Sequence, residues 1–174
     1  MEHMDRSSLY TLHTYNVYAN DLLLATAAKM TAEEFQDAMT PRTKVVLINS
    51  PNNPTGAVYP EDAIAALGAL LRAKSKEFGR TIYLVADEPY RKIVYDGARV
   101  PPIFPHYEHS LLANSWSKEL SLAGERIGYC ALNPRAAEFQ TIVAGLVFCN
   151  RVLGYVNAPG LMQRLVARLH GVTV

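Results

Sequence analysis

The apolar residues of this chain fall into short unbroken runs that alternate with stretches of helical period, and the punctuation between them is dense. The run V-V-L-I that follows Lys44 has no polar alternation, so it predicts a strand over 44–48 buried on both faces. It stops at Asn49-Ser50-Pro51-Asn52-Asn53-Pro54-Thr55-Gly56, a cluster of turn formers. Pro60, Glu61 and Asp62 then open a helix, with preset φ and acidic charge at the positive end of its dipole. Ile64, Leu67, Leu70 and Leu71 keep its apolar face, and Gly79 closes it after Arg72, Lys74 and Lys76. Such a helix packs on a sheet. The run I-Y-L-V-A predicts a second buried strand over 82–86, ending directly in Asp87-Glu88-Pro89-Tyr90. After a turn at Asp96-Gly97 and a proline-rich loop over 100–105, a third strand is expected over 111–114 and a fourth over 127–132.

The ends of the chain carry less pattern. Thr31 and Glu34 form a capping box for a short helix that stops before Thr40-Pro41. Residues 9–28 are rich in Tyr and Leu but fit neither period, with one strand expected near 21–25. Pro134 should start a helix carrying Ile142, Val143, Leu146 and Val147, and 158–169 reads as a last amphipathic helix. Strand, helix, strand, connection, strand is the order of an α/β fold with a mostly parallel sheet covered by helices.

Composition narrows the function. A length of 174 residues suits one domain, and 49% hydrophobic with 19% charged residues is a globular balance. Lys and Arg number 17 against 16 acids, which leaves no basic field for nucleic acid or an anionic membrane. The apolar runs are too short to span a bilayer and the N-terminus lacks a signal core, so a soluble, cytoplasmic protein is expected. Cys130 and Cys149 lack C-x-x-C spacing and are expected as buried thiols. His106 and His109 lie close together without further ligands at metal spacing, so no metal site is predicted.

Three strand ends carry the chemistry. Parallel strands deliver their C-terminal ends to one sheet edge, so Asn53-Pro54-Thr55-Gly56, Asp87-Glu88-Pro89-Tyr90 and the segment 115–118 are expected to converge there. In the stretch S-W-S-K-E-L-S-L-A-G-E-R over 115–126, Lys118 beside Ser115, Trp116, Ser117 and Leu120 is expected to be partly desolvated, which favours a neutral, nucleophilic amine. Arg126 adds a fork of donors for a phosphate. Taken singly, Lys118 also reads as a solvated charge, Asp87 as a capping or ion-pairing residue and Asn53 as a turn residue. An apolar strand ending in Asp-Glu also occurs in nucleotide hydrolases, but no G-x-x-x-x-G-K-[ST] segment is present.

The segments S-P-N-N-P-T-G (50–56), D-E-P-Y (87–90) and S-W-S-K-x-x-x-x-x-G-E-R-I-G-Y (115–129), in this order, resemble the large domain of class I/II aminotransferases. These are fold type I enzymes dependent on pyridoxal 5'-phosphate (PLP). The resemblance covers residues 31–174 as a partial PLP-binding large domain, leaves 1–30 unmatched, and includes no small C-terminal domain. It implies that Lys118 binds PLP covalently and acts as the base at the substrate Cα. It further implies that Asp87 pairs with the protonated ring nitrogen, that Asn53 and Tyr90 hydrogen-bond the phenolic oxygen, and that Ser115, Ser117 and Arg126 hold the phosphate.

Amino-acid and 2-oxo acid substrates and a homodimer follow from the same resemblance, with 150–157 as the segment nearest a neighbouring subunit. The family's upstream phosphate loop and ring-stacking aromatic are not recognisable before Thr31, and its arginine for the substrate carboxylate lies in the small domain. A PLP-dependent carbon-sulfur β-lyase, a PLP-binding regulatory domain and an inert truncated remnant are the alternative readings.

Overall fold

The structure, a computed structural model, describes residues 32–169. The chain divides into two compact units, 1–42 and 43–174. In the first, the described residues hold one short helix, α1 (Ala32–Asp37), with Glu33 and Glu34 in its first turn. Its expected cap Thr31 and the strand expected near 21–25 lie outside the described residues.

The second unit is built on a four-stranded sheet, β1 (Val45–Asn49), β2 (Tyr83–Asp87), β3 (Ser110–Ser115) and β4 (Gly128–Leu132), in that spatial order. The first three strands are parallel and β4 runs antiparallel to β3. Helix α2 (Glu61–Glu77) connects β1 to β2, and the loop after β2 leads into β3. The short helix α3 (Trp116–Glu119) and a 3₁₀ turn (Ala123–Glu125) link β3 to β4, followed by α4 (Phe139–Val152) and α5 (Gly160–Leu169). Among the described residues, no helix is long and apolar enough to cross a membrane.

The register explains which face is buried. Val46 aligns with Leu84 and Ser110, and Ile48 with Ala86 and Leu112, so these residues share one face. Ile64 of α2 and Ile103 of the β2–β3 loop pack there with Ile48, Ala86, Phe104 and Leu112. The expectation that β1 is buried on both faces is corrected: Val45 is 51% and Leu47 62% exposed while Val46 is buried. Successive Cβ atoms point to opposite faces, and α2 covers only one of them. The other face carries the next row, Asn49, Asp87 and Ala113.

Helix α2 is seated by backbone as well as by side chains. Its buried residues are Ile64, Gly68 and Leu71, a spacing that keeps one stripe against the sheet and the β2–β3 loop. Pro60 caps it from an extended conformation, and Gly79 follows the Phe78 C-cap at φ +64°. Arg72 pairs with Glu108, donates to the carbonyl of His106, and lies 5.5 Å from the centroid of the buried Tyr107 ring. A Cβ on Gly68 would stand 2.4 Å from the His106 carbonyl oxygen, a backbone atom that cannot swing aside. Gly68→Ala is therefore expected to destabilise by roughly 1–3 kcal/mol despite the better helix propensity of alanine, read as a lower urea midpoint.

Two further expectations change. The helix foreseen from Pro134 begins at Phe139, because Asn133 is buried and holds a turn first. Its Nδ2 donates to the carbonyls of Phe104 and Tyr107, its Oδ1 accepts from the Arg135 amide, and its carbonyl accepts from the Ala136 amide. Glu138, at φ +55°, then resets the chain before α4. The cysteines are both exposed rather than buried: Cys130 lies on an end strand, and Cys149 on a helix with no buried residue.

Candidate functional site

Asn49, Asp87 and Ala113 stand side by side where the three parallel strands end, so the strand-end clusters do share one sheet edge. From this row the loop 50–56, the turn 88–90 and the segment 115–118 all depart. Asp87 is half-buried, and desolvation pushes its carboxyl above the usual carboxylate range. Asn49, which the turn-rich sequence around it disguised as a loop residue, ends β1 with its side chain on Asp87. Its Nδ2 lies 2.9 Å from the Asp87 carbonyl oxygen and 3.3 Å from Asp87 Oδ2.

The loop after β1 is held by its own polar groups. Asn52 donates its backbone N–H to Ala57 O and accepts from Gly56 N on its carbonyl, while its Oδ1 accepts from Thr55 Oγ1 at 2.8 Å. Gly56 at φ +72° closes the turn, a conformation that favours glycine. The peptides Ser50-Pro51 and Asn53-Pro54 are cis. Asn53 is exposed at the loop's tip, and its backbone N–H donates to Asn49 Oδ1 at 2.8 Å. Asn53 and Tyr90 line the same cleft of about 380 Å³, together with Pro51, Val58, Ile93 and Tyr95.

The turn that carries Tyr90 is anchored by a buried ion pair. Glu88, 2% exposed, binds the Arg91 guanidinium, which also donates to the carbonyl of Val100. Desolvation raises the Glu88 carboxyl, and the contact with Arg91 opposes that rise. Glu88→Ala strands the arginine; a fully buried pair broken this way costs about 3–5 kcal/mol, and the 29% exposure of the Arg91 side chain puts the expected loss near the lower end. Glu88→Gln keeps shape and an acceptor, so a much smaller drop in thermal midpoint should be measured.

Lys118 reaches back toward Tyr90, its Nζ 5.8 Å from the ring centroid. The expected desolvation by its sequence neighbours is corrected, since Lys118 is exposed. Trp116, two residues earlier, turns away and packs on Tyr129 with 5.3 Å between ring centroids. Glu119 is the buried residue of α3, 3.2 Å from Lys92 Nζ, a pairing that sequence spacing did not signal.

The antiparallel pairing of β3 with β4 returns the chain to its starting point. Ser115 pairs with Gly128, and the Trp116 N–H donates to Ile127 O, so Arg126 comes back beside the Ser115 end of β3. Gly128 permits this approach: a Cβ there would stand 2.6 Å from the Asn114 carbonyl oxygen. Ser115 and Ser117 are half-buried. Arg126 is exposed at φ +52°, gives Nη1 to Ala123 O, and faces a hollow with Asn150, Tyr155 and Asn157. That hollow is distinct from the Asn53–Tyr90 cleft. His106 and His109 face Glu61 and the Ala137 amide, respectively.

One sheet edge thus presents a primary amine, a half-buried carboxylate, a phenol, a carboxamide, two hydroxyls and a guanidinium. A family profile, "Aminotransferase class I and II", matches residues 6–169, and the chain belongs to that family.

A probable aspartate/prephenate aminotransferase of Thermus aquaticus is 43% identical over 104 residues, 60% of this chain and 25% of that protein. The aspartate/prephenate aminotransferase of Thermus thermophilus is 44% identical over 97 residues, 56% of this chain and 24% of that protein. Among solved structures, an amino transferase from Eubacterium rectale superposes with a TM-score of 0.80 at 43% identity, covering 83% of this chain and 36% of that one. N-succinyldiaminopimelate aminotransferase from Mycobacterium tuberculosis gives 0.65 at 28% identity, over 82% and 35%. The matches to these curated relatives span about a quarter of the relatives' length.

Proposed function

We propose that this chain carries the cofactor-binding part of a PLP-dependent aminotransferase that moves an amino group between an amino acid and a 2-oxo acid. The reading rests foremost on the aligned strand ends, which put Asp87 between the Asn53 loop and the segment bearing Lys118. When bound, PLP supplies an aldehyde that condenses with amines and a ring that withdraws the electrons of the Cα–H bond.

In this reading Lys118 Nζ would hold the cofactor and would take and return the Cα proton of the substrate. Asp87 keeps a proton on the ring nitrogen through carboxylate charge. Asn53 and Tyr90 donate toward the phenolic oxygen, and Ser115, Ser117 and Arg126 bind the phosphate. The catalytic set is then Lys118, Asp87 and Tyr90.

Residues 31–174 are assigned here to the PLP-binding large domain, and the family match beginning at residue 6 favours extending that assignment toward the N-terminus. The whole protein is proposed to work as a cytoplasmic homodimer. Because several relatives are named for aspartate, aspartate with 2-oxoglutarate is the first substrate pair to test.

The experiment is borohydride reduction of the chain mixed with PLP, followed by peptide mass analysis. A single adduct on Lys118, weakened in Arg126→Ala, is the expected result. Scattered adducts on several lysines, or none, would remove the proposal.

A further inference from the structure

The Asn49 amide touches two segments of the proposed site at once. Its Nδ2 faces Asp87, at 2.9 Å from the carbonyl and 3.3 Å from Oδ2, while its Oδ1 accepts the Asn53 backbone N–H at 2.8 Å and Asn52 Nδ2 at 3.4 Å. Only this orientation of the amide is chemically consistent. Flipped, its oxygen would oppose the Asp87 carboxylate and its NH₂ would oppose the Asn53 N–H. The parallel register fixes the position as well, since Asn49 is the direct cross-strand partner of Asp87. Asn49 is half-buried, so water competes less well for these bonds than at an open loop.

We infer that Asn49 is a positioning residue, whose single amide sets the orientation of the Asp87 carboxylate and ties it to the loop bearing Asn53. This rests on the reading of Asp87 and Asn53 as cofactor contacts given above. The consequence is that the Asp87 carboxylate and the Asn53 loop would move as a unit. A carboxylate aimed at a ring nitrogen works only if its oxygens are held before the ring arrives, and Asn49 supplies the donor that holds them. Glu88, the charged neighbour in the next position, is paired with Arg91, leaving Asn49 as a neutral donor on the Asp87 carboxylate.

The two halves of the amide can be separated by substitution. Asn49→Asp keeps an oxygen for the Asn53 N–H but replaces the donor on Asp87 with a second carboxylate. Asn49→Ala removes both. The readouts on the free chain are carboxyl carbon titration of Asp87 by NMR and hydrogen exchange of the Asn53 amide, with the thermal midpoint measured in parallel.

Asn49→Asp should move the Asp87 titration upward with Asn53 protection retained, because like charges disfavour ionisation. Asn49→Ala should speed Asn53 exchange by about tenfold or more, as for an amide released from its acceptor. For the loaded chain, PLP affinity should fall by about tenfold, the loss of one charge-assisted contact, in both variants.

An unchanged Asp87 titration and unchanged Asn53 exchange in Asn49→Ala would overturn the inference. If Asn49→Asp fails to fold, Asn49→Ala and Asn49→Ser decide the matter by the same two readouts. Should the parent chain form no PLP adduct, the proposed function fails, while the titration and exchange of the free chain still judge the role of Asn49.

Discussion

Lys118→Ala is expected to abolish the borohydride-trapped adduct and to lower amino transfer by a thousandfold or more, on the order of what a lost general base alone costs. Both proposed jobs sit on one nitrogen. The amine must bond covalently to a carbonyl, and it must then lie free to exchange a proton with Cα. Lys118→Arg keeps the positive charge, yet a guanidinium stays protonated and forms no such bond, so it should fail equally. The check is single-turnover absorbance with aspartate, set beside the adduct mass. Added methylamine should restore some proton transfer in the alanine variant but not in the arginine one, where the pocket is filled. Equal rescue in both would argue against Lys118 as the base.

Asp87→Asn has an effect of opposite sign on function and stability. Turnover should fall by about a hundredfold to a thousandfold, comparable to removal of one preorganised electrostatic contact, because the neutral amide no longer holds a proton on the ring nitrogen. Stability of the free chain should rise instead. Burial raises the Asp87 carboxyl, so the folded state holds that proton more tightly than the unfolded one. The resulting contribution favours the fold at low pH and is lost as pH climbs from the ordinary carboxylate range through the raised folded value. Asparagine removes that loss, and since the group is only half-buried the gain at neutral pH should be about 1 kcal/mol or less, the usual size at a site strained for function. Thermal midpoints of parent and variant from pH 4 to pH 8 measure it, and the two curves should separate as pH rises.

Much of this arrangement was legible from apolar runs alone. V-V-L-I and I-Y-L-V-A became β1 and β2, and the polar clusters after them met at one edge because parallel strands leave no other outcome. Periodicity does not report which faces are covered, so Val45 and Leu47 read as buried although α2 lies on the other side of the sheet. The partial desolvation expected of Lys118 fails for a related reason: sequence neighbours at a helix start point in different directions, and Trp116 packs on Tyr129 instead.

Asn49 was hidden because asparagine before Ser-Pro is ordinary turn composition, and only cross-strand register reveals that its side chain meets Asp87. The signal available was a polar residue ending an apolar run, the same signal that drew attention to Asp87. Pro134 illustrates the opposite failure, where a sound start signal was overruled by the buried amide of Asn133.

The sheet order also governs when the site comes into being during folding. The bond between Asn49 and Asp87 closes a separation of 38 positions, whereas β3 and β4 meet across the short excursion through α3. Closing the Ser115–Gly128 end costs less chain entropy than closing the β1–β2 register, which spans the whole of α2. The Asp87 carboxylate and the Asn53 loop thus depend on a more distant pairing than the β3–β4 end does. On a chain made from its N-terminus, β1, α2 and β2 are complete before Lys118 is added, so the residues that form the carboxylate edge precede the amine they are aligned with.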